Sequence, residues 1–426
     1  MKKKLFAIIS IILCFASLLS CVGCTSMLDE EGSDTASDWL YSDTSIDIGG
    51  KNTEKKTEKK TEKKTEKKTT AKKTETELKP GVSKAPIDLN DKTYTFANMS
   101  AANQAYFKFL GRTKVSGDGL IFDTSCATLE FQGYMTGDVV IEINSKKNMD
   151  YGNSFFTVYV DGKRSSTRFE VGNNSTKKLT IATFSGNYFH TIKIVKQTEF
   201  KWSLATVKSL KITGYLTKAP AEKQFYVEFL GDSLTTAYGN IGKPGNEPSD
   251  SPNFQDGTKS YAYLFADMIN ADYSMIARSA AGISKCWSNS PIIDYYKKFS
   301  KDRSTEAFDT SKARKPDLIV LHLGANDYNV GGSNSSNFVS KGKELVEYFR
   351  NTYGKDVPII WAYDPGEGFP SKVKEIMNSF GGEDAGYYTL ALAWSERGAG
   401  GHPSANEHAK HANLLLDLVK DKNILK

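Results

Sequence analysis

The hydrophobic rhythm of the chain changes once, near Gln224, and that change restricts its architecture more than any other feature. Before it, short alternating segments follow one another with turn signals between them, at 94–96, 119–122, 127–131, 139–143, 155–160, 179–182 and 190–195. Alternation of period two, without a helical stripe, predicts antiparallel strands in an all-β sandwich of jelly-roll type. After Gln224, strands of the fully buried kind at 225–230, 273–277, 318–323, 358–363 and 387–392 alternate with helical stretches near 261–270, 337–353, 371–380 and 404–420. Five strands in alternation with helices predict a parallel sheet covered on both faces, a three-layer α/β domain. Such a sheet carries its chemistry at the carboxyl ends of its strands.

With 426 residues, 39% of them hydrophobic, the chain has enough apolar surface for two cores. Its first residues carry no part of either. Lys2, Lys3 and Lys4 precede an apolar run over 5–19, the pattern of an export signal. The run ends in Leu18-Leu19-Ser20-Cys21, with a second small-residue cysteine site at Gly23-Cys24. It resembles a bacterial lipobox, which makes residues 1–24 the signal peptide of a lipoprotein with Cys21 as lipid carrier. Cys24 and plain secretion are the alternatives. The place implied is the cell surface, with the membrane as partner through the lipid anchor if Cys21 is lipidated.

Residues 53–68 repeat Thr-Glu-Lys-Lys four times, and nothing apolar in them drives packing, so 25–85 reads as a disordered stem and linker. The β-sandwich is expected over 86–217 and the α/β domain over 224–426. Between Lys51 and Pro80 there are 12 Lys against 6 Glu, a surplus equal to the whole formal charge of +6. The folded part is therefore balanced in charge, and no nucleic-acid partner is expected. Of the five cysteines only Cys126 and Cys286 fall in the folded part, too few for a disulfide framework.

Chemistry-bearing residues collect at the expected strand ends. The first α/β strand runs into Gly231-Asp232-Ser233, a small-residue turn that leads to a helix and sets Ser233 at the sheet's carboxyl edge. A serine there gains from backbone amides and a helix N-terminus when negative charge develops during acyl transfer; a plain N-cap serine is the bland alternative. The second strand leads to Ala280-Ala281-Gly282, where a backbone N–H can approach a substrate. The third ends in Asn326-Asp327, an amide able to donate to an oxyanion and a carboxylate able to brace the loop. Near the C-terminus, Gly400-Gly401-His402-Pro403-Ser404 keeps His402 in a loop, and Ser404 with Glu407 forms a capping box that starts the last helix beyond it. His190, His322, His408 and His411 lie in strands or on that helix; only His402 stands where a base is needed.

Ser233, Gly282, Asn326 and His402, in that order and with these flanks, resemble the SGNH (GDSL) hydrolases. The chain from about Pro86 onward resembles more narrowly the second family of carbohydrate esterases, through Leu110-Gly111-Arg112, Val160-Asp161-Gly162, His190 to Ile194, Thr198-Glu199, Glu228 to Ser233 and His402-Pro403-Ser404. The resemblance implies a flavodoxin-like SGNH domain behind a jelly roll, and removal of O-acetyl groups from plant polysaccharides or oligosaccharides. It makes Ser233 the nucleophile and His402 the base, with the Ser233 and Gly282 amides and the Asn326 side chain as oxyanion hole and Asp232 and Asp327 in support. No cofactor and no metal are expected. Such enzymes commonly carry an aspartate three residues before the base, where this chain has Ala399. A Ser–His dyad is then expected, with a backbone carbonyl orienting the base and Glu396 as the other candidate. Trp202, Tyr238 and Trp287 are candidates for stacking on sugar, and Asp at position 399 is expected to be tolerated in so glycine-rich a loop. The alternatives are another ester substrate, or a carbohydrate-binding surface protein with weak catalysis.

Overall fold

The computed structural model describes residues 78–148, 152–246, 251–288, 290–303, 305–332 and 337–426. Cys21, the signal segment and the Thr-Glu-Lys-Lys tract lie outside the described residues. The alternating half forms strands β1 (Asp91–Thr95), β2 (Phe107–Leu110), β3 (Thr113–Ser116), β4 (Gly119–Phe122), β5 (Thr128–Lys147), β6 (Ser154–Val160), β7 (Lys163–Arg164), β8 (Phe169–Val171), β9 (Ser175–Lys196) and β10 (Ser203–Leu216), with one short helix, α1 (Ala101–Gln104). Their pairings are antiparallel, in the order β3-β4-β10-β5-β9-β6-β7, with β1, β2 and β8 paired to the sides. Phe122, Phe131, Ile141, Phe156, Val158, Ile192 and Leu210 fill the interior, and the fold is a jelly-roll-like sandwich.

Two differences from the sequence reading have a physical cause. The segments at 127–131 and 139–143 belong to one strand, β5, and those at 179–182 and 190–195 to another, β9. Register shifts at Met135/Gly137 and Val139/Val140 interrupt the alternation without ending the pairing, so one bulged strand looks like two. Residues 81–85, counted with the stem, pair beside β9: the Gly81 N–H donates to the Phe189 carbonyl (2.8 Å) and the Ala85 N–H to that of Asn187 (2.7 Å).

The second half forms a parallel sheet of β11 (Tyr226–Gly231), β12 (Asp272–Ala277), β13 (Leu318–His322), β14 (Ile359–Tyr363) and β15 (Tyr387–Ala391) in the order β12-β11-β13-β14-β15. Its helices are α2 (Ser233–Thr236), α3 (Tyr261–Met268), α4 (Ile292–Tyr296), α5 (Ala325–Gly331), α6 (Phe338–Tyr353), α7 (Pro370–Ser379) and α8 (Ala405–Asp421). Successive strand residues face opposite layers. Val227, Phe229, Leu318 and Val320 pack with α3 and α8, whereas Leu230, Ile319, Leu321 and Trp361 pack with α4, α6 and α7. Both faces of β11 to β14 are thus covered, which is why they read as continuous apolar runs, whereas β15 at the sheet edge is only half buried. Gly231 stands beside Ala277 and His322, and His322 beside Ala362, so four strands end at one level and deliver their loops to one edge. The reversal of strand order at β11 opens the crevice in which ligands of such sheets bind.

Paired charges join the sandwich to this sheet. Arg303 makes a bidentate pair with buried Asp123 (2.7 and 2.9 Å), Arg164 pairs with Asp256 (2.8 Å) and Lys108 with Asp272 (2.5 Å). Arg112 and Glu228, both singled out in the sequence, meet at 3.4 Å within this boundary.

Candidate active site

The site begins at the turn after β11. A Cβ on Gly231 would lie 2.0 Å from Thr235 Oγ1, so only glycine lets α2 fold back this closely. Asp232 caps that helix, its Oδ1 accepting the Leu234 N–H (2.9 Å), and Ser233 begins it. The Ser233 N–H is one of the helix's unpaired amides and donates to no other group among the described residues.

His402 arrives from the other end of the sheet. Gly400 and Gly401 take positive φ, +63° and +74°, and the Ala399 N–H donates to the Gly239 carbonyl (2.9 Å), which fastens the loop beside the turn that carries Ser233. The Ser404 side chain caps α8 by accepting the Glu407 N–H (3.3 Å). The expected capping box closes only on this side, because the Glu407 carboxylate accepts instead from the Glu396 N–H (3.4 Å) and Lys410 (2.7 Å).

These two loops bring His402 Nε2 to 2.9 Å from Ser233 Oγ. Across the ring, Nδ1 lies 3.0 Å from the Gly400 carbonyl oxygen, which accepts only, so Nδ1 carries the proton and Nε2 is left to take one from serine. Burial pulls the His402 pKa down to about 4, and the Lys201 ammonium adds to the fall against the opposing pull of the Gly400 carbonyl and Glu367. Near neutral pH the imidazole is therefore unprotonated, the form a general base requires.

Gly282 and Asn326 complete the edge. The Gly282 N–H donates to no other group among the described residues, and a Cβ there would lie 1.8 Å from the Lys285 carbonyl oxygen. Asp327 holds this loop, accepting the N–H groups of Ile283 (2.9 Å), Ser284 (2.7 Å) and Lys285 (2.7 Å) and the Ser284 hydroxyl (2.8 Å). The Asn326 amide donates to Asp232 Oδ2 (3.1 Å) and the Ala281 carbonyl (2.9 Å). Both its hydrogens are thus engaged, and an incoming oxyanion has to share one. Burial raises the Asp232 pKa to about 7, against the Leu234 N–H and Asn326 that favour its ionised form.

Three candidates lie elsewhere than the sequence suggested. The Glu396 carboxylate accepts from Asn406 (3.1 and 3.3 Å), and the His402 ring nitrogens meet Gly400 and Ser233 instead. Trp202 is buried with its Nε1–H on Gln255 (2.9 Å), and buried Tyr238 packs against the His402 ring at 4.5 Å, so neither offers a stacking face; Trp287 is 68% exposed. Ala399 is fully buried with Gly242 packed against its Cβ, which overturns the expectation that aspartate fits there. The sequence reading missed Glu199 and Gln255, polar side chains buried beside the turn that carries Ser233. Only the Thr198-Glu199 pair had drawn notice, and no spacing in the sequence joins it to Ser233. Among the described residues no His, Cys, Asp or Glu cluster is gathered for a metal ion.

The parallel sheet and the loops at its carboxyl edge are those of a GDSL-like domain. Residues 227–383 match the GDSL-like lipase/acylhydrolase family and residues 109–220 match the carbohydrate esterase 2 N-terminal domain. It is 30% identical over 288 residues to the cellulase/esterase CelE of Acetivibrio thermocellus, a match covering 64% of this chain but only 34% of CelE. It is 21% identical over 335 residues to an acetylxylan esterase / glucomannan deacetylase of Cellvibrio japonicus, covering 75% of this chain and 90% of that protein. Among solved structures, a family two carbohydrate esterase from Clostridium thermocellum in complex with cellohexaose aligns with a TM-score of 0.67 and 27% identity, over 75% of this chain and all of that one.

Proposed function

We propose that the chain is an esterase that removes O-acetyl groups from plant cell-wall polysaccharides of the xylan and glucomannan kind. One observation carries the reading: His402 Nε2 stands 2.9 Å from Ser233 Oγ while its Nδ1–H is held by a carbonyl. In this reading Ser233 Oγ attacks the acetyl carbonyl as its proton passes to His402 Nε2, and the tetrahedral oxyanion draws on the Ser233 and Gly282 N–H groups and the Asn326 amide. The proton returns to the departing sugar hydroxyl, leaving an acetyl-serine. Water, deprotonated by His402, attacks that ester, and acetate leaves. The Gly400 carbonyl orients the ring but supplies no full charge, so the imidazolium is less stabilised than beside an aspartate.

The names of the relatives, an acetylxylan esterase / glucomannan deacetylase and a cellulase/esterase, support the substrate class. The same reading assigns 86–217 to the sandwich and 224–426 to the hydrolase domain, and export through residues 1–24 with lipid on Cys21. A second reading, a carbohydrate-binding surface protein with weak catalysis, draws on exposed Trp287 two residues beyond the loop that Asp327 holds, and on the cellohexaose-bound relative. The test is acetate release from acetylated xylan, glucomannan and peptidoglycan and from a chromogenic aryl acetate. We expect release from the plant polymers, abolished in a folded Ser233→Ala variant. Equal turnover in that variant contradicts the serine mechanism; polymer binding without release favours the second reading.

A further inference from the structure

Between β9 and β10 the sandwich sends residues 197–202 against the hydrolase half, and Glu199 in this connection is fully buried. A carboxylate out of water is costly unless donors satisfy it. The donors here lie on two loops of the candidate active site. Glu199 Oε2 accepts the Ser279 N–H (2.8 Å), and Oε1 accepts the Ser279 hydroxyl and stands 3.5 Å from Thr236 Oγ1. Thr236 ends the helix that Ser233 begins, and Ser279 stands three residues before Gly282 in a loop bent by Ala280 at φ +71°. Gln255 closes the ring, accepting the Glu199 N–H (3.1 Å) and donating to the Thr236 carbonyl (2.9 Å).

We propose that Glu199 is a positioning residue of the active site, a carboxylate from the sandwich that sets the spacing between the nucleophile turn and the loop carrying the Gly282 N–H. The sandwich then forms part of the catalytic framework as well as any surface it offers to polysaccharide. The proposal rests on the reading of Ser233 as nucleophile. None of the hydrogen bonds of Glu199 involves His402 or Trp287, so its removal is expected to disturb the geometry of attack more than the base or substrate binding. A displacement of 1 Å between reacting groups is worth about 10²-fold in rate.

The full chain is assayed on the chromogenic aryl acetate as wild type, Ser233→Ala, Glu199→Gln, Ser279→Ala and the Glu199→Gln/Ser279→Ala double variant, with thermal unfolding followed in parallel. Glutamine turns one acceptor into a donor facing Ser279. Glu199→Gln is expected to lose about 10-fold or more in kcat with KM within about twofold and the acid limb of the pH profile unmoved. Ser279→Ala keeps its N–H and is expected to lose about fivefold, the worth of one hydrogen bond, and the double variant is no slower than Glu199→Gln alone. Wild-type kcat in folded Glu199→Gln, even with a lower Tm, overturns the proposal and makes the carboxylate only a tie between the halves. If Glu199→Gln does not fold, wild-type kcat in Ser279→Ala overturns it equally. Activity undiminished in Ser233→Ala is a separate outcome: it brings down the serine reading itself, whatever the Glu199 variants do.

Discussion

At the scale of the residue, the imidazole of His402 is the feature to explain, because it meets a carbonyl where a carboxylate is usual. Glycines at 400 and 401 allow the backbone to curl until the Gly400 carbonyl reaches Nδ1, so main chain takes over the orienting role. Glu396 is held by Asn406, and we expect Glu396→Gln to keep kcat within about twofold of wild type, since a solvent-exposed contact of this kind is worth little. A severe loss would reinstate Glu396 as the third catalytic member. Ala399→Asp has the opposite expectation. Position 399 is fully buried against Gly239 and Gly242, and an unpaired carboxylate there is expected to cost about 3 kcal/mol or more, seen as a lowered denaturation midpoint.

At the scale of the element, the loop after β12 depends on a side chain from α5. Asp327 accepts three backbone N–H groups and a hydroxyl from residues 283–285, an acceptor set that an amide cannot reproduce. Asp327→Asn is expected to lower stability by about 1–3 kcal/mol, the cost of leaving a buried donor unpaired, and to lower kcat more than it raises KM, because Gly282 then loses its fixed position. Unchanged kcat with reduced stability would separate the loop from catalysis. Most of these elements were legible in the sequence. The five parallel strands and the helices at 261–268, 338–353, 370–379 and 405–421 agree with expectation within two residues, because strands buried on both faces and amphipathic helices each leave a strong pattern. The long strands β5 and β9 were not legible as single strands, since bulges break the period that identifies a strand. At the site, Ser233 and Asn326 were placed from strand ends, His402 from the glycine-rich loop before the last helix, and Gly282 only through the family resemblance. The role of Glu199 did not, because what brings it to Ser279 is packing between two halves of the chain, which no local pattern records.

At the scale of the whole molecule, buried ion pairs join sandwich and sheet beside the apolar contacts that Leu110, Tyr159 and Val195 make with the core under α3. Asp123 is nearly inaccessible and accepts both arms of Arg303 and the Ser300 hydroxyl. Asp123→Ala leaves the guanidinium without its partner, and a loss of about 3–5 kcal/mol is expected; a calorimetric trace that splits into two transitions would show the halves uncoupling. In the proposed mechanism Ser233 is driven by a histidine whose Nδ1 meets a carbonyl and no carboxylate. Burial holds the His402 pKa at about 4, and the neutral ring is the active form, so activity is absent well below that value and rises as pH climbs through it. The decisive measurement is kcat/KM on an aryl acetate against pH, for wild type beside Ser233→Ala. The expected result is an acid limb centred near pH 4, a plateau through neutrality, and no enzymatic rate at any pH in the variant. A limb at the ordinary histidine value of about 6.5 would contradict the effect of burial, one well above it would mean that a negative charge supports the imidazolium, and a variant that follows the wild-type curve would mean that Ser233 is not the nucleophile.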